Sequence, residues 1–172
     1  MQGAAKRLRL RAMEGSTTIR HPNREKSSSQ VTKPFIGLLL LVSAVLIAVI
    51  TFGGWSALQG AQVVAVAYLL VYLIMAFFVM RWSRGVLPLV AALAVGLAVF
   101  GAIAAPAWFD RDKPNYAAPS IASGLLGTLA IVVVLVQIVL IVFALIGFAQ
   151  KWNIEVEESP GGGDGQPSPA TG

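Results

Sequence analysis

Apolar and polar positions in this chain are sorted into blocks. Four long apolar runs, at 35–54, 61–80, 86–105 and 121–149, are separated by short polar stretches containing glycine or proline. None of the runs alternates residue by residue as a barrel strand does. A helix rises about 1.5 Å per residue and the hydrocarbon core is about 30 Å thick, so each run is long enough to cross a bilayer once. A helix also satisfies its own backbone hydrogen bonds, which lipid cannot do for it. The pattern predicts an all-α integral membrane four-helix bundle over 34–153, flanked by polar segments at 1–33 and 154–172. Trp55, Trp82, Trp108 and Trp152 follow the ends of the runs, at the depth where an indole keeps its ring in apolar surroundings and its N–H near water.

Composition adds that no soluble surface hides this much apolar material, since 56% of residues are hydrophobic and only 12% charged. Asp, Glu, Lys, Arg and His are absent from 35–80, 85–109 and 114–150. Lys and Arg near span ends are retained on the cytoplasmic side, and they are distributed unequally. Eleven fall on the side of the termini: Lys6, Arg7, Arg9, Arg11, Arg20, Arg24, Lys26, Lys33, Arg81, Arg84 and Lys151. Only Arg111 and Lys113 fall on the other, each beside an acid. This predicts an N-in, C-in protein. A cleaved secretory signal would need a basic region as long as 1–33, and no persuasive small-x-small cleavage site precedes the second run, so the first run is expected to be retained.

The segment 1–33 reads as a basic, disordered cytoplasmic tail, and 154–172 as an acidic, Gly/Pro-rich disordered one. Within the first, 4–13 places Lys6, Arg7, Arg9 and Arg11 around Leu8 and Leu10, a pattern suited to anionic lipid, where each basic group contributes roughly 1 kcal/mol. The same segment has no aromatic residue on which a base would stack, so no nucleic-acid partner is expected. Between the two tails, weak and screened contacts of opposite charge are expected.

Chemistry is excluded more readily than assigned. The chain has no cysteine, which removes disulfides, thiolate nucleophiles, Fe–S ligation and Cys-rich zinc sites. Its single histidine, His21, lies in the polar segment, so neither a bis-histidine haem nor a two-histidine metal site is expected in the spans. No carboxylate lies within a run, as proton-coupled transport commonly requires. No catalytic, cofactor or metal residue is therefore expected, nor an enzyme.

Candidate packing and polar residues remain. Ala94, Ala98 and Ala102 on the third run, and Ser120, Gly124 and Thr128 on the fourth, recur every four residues and predict small-residue strips that face each other. Ser120, following Pro119, is the expected N-cap of a fourth helix that runs unbroken to 150. Ser43, Tyr68, Tyr72 and Gln137 lie near mid-depth. Hydrocarbon offers an amide no partner, so Gln137 is expected to face inward and bond to Tyr72, Tyr68 or Ser43, as glue contributing about 0.6 kcal/mol. The longest outer loop, 106–119, carries Trp108, Asp110, Arg111, Asp112 and Lys113 and is the expected place for any docking epitope.

The ending Gly147, Phe148, Ala149, Gln150, Lys151, Trp152, Asn153, Ile154, Glu155, Val156, Glu157, together with Trp108, Phe109 and Asp110, resembles small four-span membrane proteins of unknown function from high-GC Gram-positive bacteria. The resemblance covers mainly the second half of the chain and implies a plasma membrane location and no activity. With almost no outer domain and no charge inside the membrane, the expected role is an accessory, assembly or scaffolding subunit, with a membrane-protein partner or self-association. The alternative is a small oligomeric channel or transporter for a neutral or weakly polar solute, lined by Gln137 and the two tyrosines.

Overall fold

The computed structural model describes residues 18–20, 22–112, 117–152, 154 and 156–158. The lipid-surface segment 4–13, most of the two expected tails (1–17, 21 and 159–172) and Lys113 lie outside the described residues. Four helices make up the body: α1 (Ser27–Gly53), α2 (Gln62–Met80), α3 (Leu87–Phe109) and α4 (Ser123–Ala149). All four are long and apolar enough to cross a membrane.

Three boundaries differ from the hydropathy pattern. Helix α1 starts at Ser27, so the expected tail ends at Lys26 rather than 33. Its first turns are polar, which hydropathy cannot register, yet Ser29 and Thr32 are buried and the Thr32 hydroxyl donates to the Ser28 carbonyl at 2.7 Å. Helix α3 continues through Pro106 to Phe109, because a proline near a C-terminal end forfeits only one ladder hydrogen bond. The loop between α3 and α4 therefore begins at Asp110, with a 3-10 turn over Asp110–Asp112. Helix α4 begins at Ser123, after Ala122, and Ser120 is not its cap. The Ser120 backbone N–H instead donates to the Gly53 carbonyl at 2.9 Å, tying the loop to the end of α1. From Ser123, α4 is unbroken through Gly124 and Gly127; its 27 residues span roughly 40 Å, longer than the hydrocarbon core, so it tilts or protrudes.

Helices α1 and α2 form one antiparallel hairpin and α3 and α4 another, and the hairpins join along α1 and α4. Helices α2 and α3, though consecutive, share no comparable seam. Both ends of the helical body lie on one side, where the strands β1 (Thr18–Arg20) and β2 (Val156–Glu158) pair antiparallel with Ile19 opposite Glu157. The two segments expected to be disordered thus meet in a small sheet. Apolar side chains gather in two clusters. The larger, nearer the termini, includes Ile36, Leu40, Tyr72, Val79, Leu87, Val90, Leu140 and Trp152. The smaller, at the opposite end, holds Ala57, Ala105, Trp108, Leu126 and Ala130.

The α3–α4 seam is the most extensive in the bundle, but its small residues are not the expected ones. Ala94 is buried and Ala98 half-buried, whereas Ala102 is exposed and Gly101 and Ala105 take its place. A four-residue spacing advances about 40° beyond a full turn, so the third member of such a strip is roughly 80° off the face of the first. On α4, Gly127 and Ala130 meet α3, while Ser120 and Thr128 are exposed and Gly124 half-buried. The Thr128 hydroxyl bonds back to the Gly124 carbonyl at 2.9 Å.

Adjacent substitutions distinguish the faces. A Cβ on Gly101 would lie 3.0 Å from Val134 Cγ2. Gly101→Leu is expected to destabilise the bundle by roughly 1–3 kcal/mol through overpacking, read as a fall in the thermal unfolding midpoint in detergent. Ala102→Leu, facing outward, is expected to change stability by no more than about 0.5 kcal/mol. Equal effects would contradict the assigned face.

Candidate functional site

Gln137 lies near the middle of α4, Tyr72 near the middle of α2 and Ser43 in the second half of α1. Each is directed inward by the periodicity of its own helix: Val133, Gln137 and Leu140 share one buried face of α4, as do Leu40, Ser43, Ala44 and Ile47 on α1. Gln137 has no exposed surface. The Tyr72 hydroxyl donates to its Oε1 at 2.7 Å, and its Nε2 donates to Ser43 Oγ at 2.9 Å. Ser43 Oγ in turn donates to the Leu39 carbonyl at 2.7 Å. One amide thus joins α1, α2 and α4. Tyr68, one turn before Tyr72, is outside this chain; its ring lies 6.2 Å from Tyr72 and edge-on to Phe100 at 6.0 Å.

Such an arrangement transfers no proton at ordinary pH and offers no nucleophile, because its groups are a phenol, a neutral amide and an alcohol already bonded to one another. No group of three His, Asp or Glu side chains able to hold a metal occurs among the described residues.

The end carrying the termini holds a second network that the sequence did not disclose. Trp152 is fully buried and stands edge-on to Trp82, with centroids 5.3 Å apart. Its indole N–H donates to Gln150 Oε1 at 2.9 Å, and Gln150 Nε2 donates to Thr32 Oγ1 at 2.9 Å, which binds the end of α4 to the start of α1. Arg24 Nε donates to the Trp152 carbonyl at 2.9 Å, and the Lys33 ammonium sits 4.2 Å from the Trp82 ring centre. Arg84 Nε donates to the Phe148 carbonyl at 2.8 Å, placing a cation at the negative end of the α4 dipole. Charge counting places these cations on one membrane face, but nothing local in the sequence pairs Arg24 with Trp152, Arg84 with Phe148 or Lys33 with Trp82.

At the opposite end the expected docking residues separate. Trp108 is buried within the bundle as the last turn of α3, so it is no part of an exposed epitope. Arg111 folds back, donating from Nη1 to the Ala57 carbonyl, with its guanidinium carbon 4.6 Å from the Trp108 ring centre. Asp110 is exposed. The Ser56 hydroxyl donates to the Ala118 carbonyl at 2.9 Å, so the two connections at this end are joined.

The bridge can be dissected by substitution. Tyr72→Phe removes one bond and leaves the buried Gln137 Oε1 without a donor, and is expected to cost about 1 kcal/mol. Gln137→Leu strands a buried phenol and is expected to cost more, roughly 1–3 kcal/mol. The double variant should cost less than the sum, since the phenol is no longer there to strand. Strict additivity in detergent unfolding would show that the pair is not coupled.

Comparison of the chain with family models, with curated proteins and with solved structures finds no match in any of the three, so its role is argued from its own residues.

Proposed function

We propose that this is a multi-pass plasma membrane protein with both termini cytoplasmic, acting as a non-enzymatic accessory, assembly or scaffolding subunit of a membrane complex. The observation that carries this is the closed amide bridge: the most polar side chain at mid-bundle is committed to Tyr72 and Ser43. Outward-facing positions such as Leu70, Leu135 and Ile138 are apolar, suited to lipid or another helix. The orientation is supported by the eleven-to-two division of basic residues and by the two ends of the helical body lying together. The plasma membrane location is supported by the resemblance to small high-GC Gram-positive proteins. Anionic lipid at the basic amino-terminal segment completes the proposed partners.

A channel or transporter for a neutral solute would need Gln137 and Tyr72 to line a path. Their complete burial and mutual bonding favour the accessory role.

Two measurements test this. In the cysteine-free chain, Asn115→Cys is expected to react with an impermeant maleimide in intact cells, and Ser16→Cys and Ser168→Cys only after permeabilisation. The reverse pattern would overturn the orientation. Affinity purification after gentle detergent extraction is expected to recover a larger membrane protein in fixed stoichiometry; a homo-oligomer alone would contradict the accessory role.

A further inference from the structure

Between its two apolar clusters the bundle leaves a half-open cavity of about 480 Å³, in the size range of sites for small organic ligands. Ile47 and Ile50 of α1, Leu97 of α3 and Val133 of α4 form its wall, and Tyr68 lies at its inner end. The most exposed large side chains of the lining are Val64, Phe100 and Ile103, on α2 and α3. The opening therefore lies between those two helices, where no seam joins them. Tyr68 explains the gap: its hydroxyl rests on Gly96, where a Cβ would stand only 2.8 Å away, so the phenol spans from α2 to α3. Beyond it, Ala65 on α2 and Ala104 and Ala107 on α3 line the space with small side chains, while the larger Val64 and Ile103 are exposed at its mouth.

Its surroundings select the occupant. The lining is almost wholly apolar, so water finds few partners there, and an empty space of this size forfeits packing. The opening lies on the face of α2 and α3 that a bilayer would cover, so acyl chains are the apolar groups at hand. A flexible hydrocarbon chain fits. The one charged residue of the lining, Arg111, stands at the outer end beside Trp108. A guanidinium has five N–H donors in a geometry that suits phosphate oxygens, more than the single Ala57 carbonyl takes up.

We propose that this cavity binds one phospholipid of the surrounding bilayer, with an acyl chain lying between α2 and α3 as far as Tyr68 and the phosphodiester against Arg111. The site does not depend on the accessory role or on which side the termini face.

Native mass spectrometry of the full chain in detergent, offered equal amounts of phosphatidylglycerol and diacylglycerol with the same acyl chains, tests both halves. The wild type should retain one phosphatidylglycerol per chain, preferred over diacylglycerol by roughly tenfold or more. Ala65→Phe and Ala104→Leu, which fill the cavity from opposite walls, should each lower retention by roughly tenfold or more, compared where circular dichroism shows wild-type helicity. Arg111→Gln should lower the preference for phosphatidylglycerol by roughly tenfold or more relative to the wild type, whose amino-terminal basic residues it leaves unchanged. Equal binding of the two lipids by the wild type, which needs no variant, would overturn the phosphate contact. Undiminished retention in folded filling variants, or a second copy of the chain bound in place of lipid, would overturn the site.

Discussion

A side-chain amide in hydrocarbon has to find its partners within the protein, and the position of Gln137 sets much of this bundle. Directing it inward fixes the rotation of α4, since Ala130, Val133, Leu140 and Ala144 then share its buried face. Its acceptor is met by Tyr72, which fixes α2, and its donor by Ser43, which fixes α1. Helix α3 carries no corresponding polar group and is oriented by close packing, with Gly101 and Ala105 against α4. The same requirement accounts for the closed character of the middle: an amide bonded at both its oxygen and its nitrogen is glue, and contributes modestly in energy but strongly in register.

The two ends differ in how they are finished. At the end carrying the termini, Trp152 plugs the bundle, Gln150 and Thr32 join the last helix to the first, and Arg84 caps α4. At the opposite end Trp108 and Arg111 hold the two connections together, yet the bundle opens between α2 and α3 beyond Tyr68. Of the four tryptophans, Trp108 and Trp152 face the interior rather than lipid, so their place near the span ends reflects plugging as much as interfacial preference. A bundle tight near its termini and open at the other end presents its polar, charged elements on one side and a lipid-sized gap near the other.

Four spans were legible because hydropathy over twenty residues averages away local detail, and a partner for Gln137 was legible because so few polar groups lay at its depth. The helix ends were not. The polar first turns of α1 carry no hydropathy signal, and Pro106 reads as a stop although a helix tolerates it near its C-terminal end. The small-residue strips failed for a geometric reason: Ala102 keeps the four-residue spacing but not the face, since 3.6 residues make a turn. The cavity and the terminal network were invisible because both depend on how distant helices meet: Tyr68 on Gly96, and Gln150 on Thr32.

Gln137, at the centre of the bundle, has no exposed surface and is bonded at both its oxygen and its nitrogen. Water-edited solid-state NMR of the full chain in bilayers, with glutamine side chains labelled with ¹⁵N, measures this most directly. The Gln137 amide should receive no rapid magnetisation transfer from water, while the exposed Gln30 and Gln59 should. Rapid transfer to Gln137 would contradict the closed bridge and restore a hydrated path through the bundle.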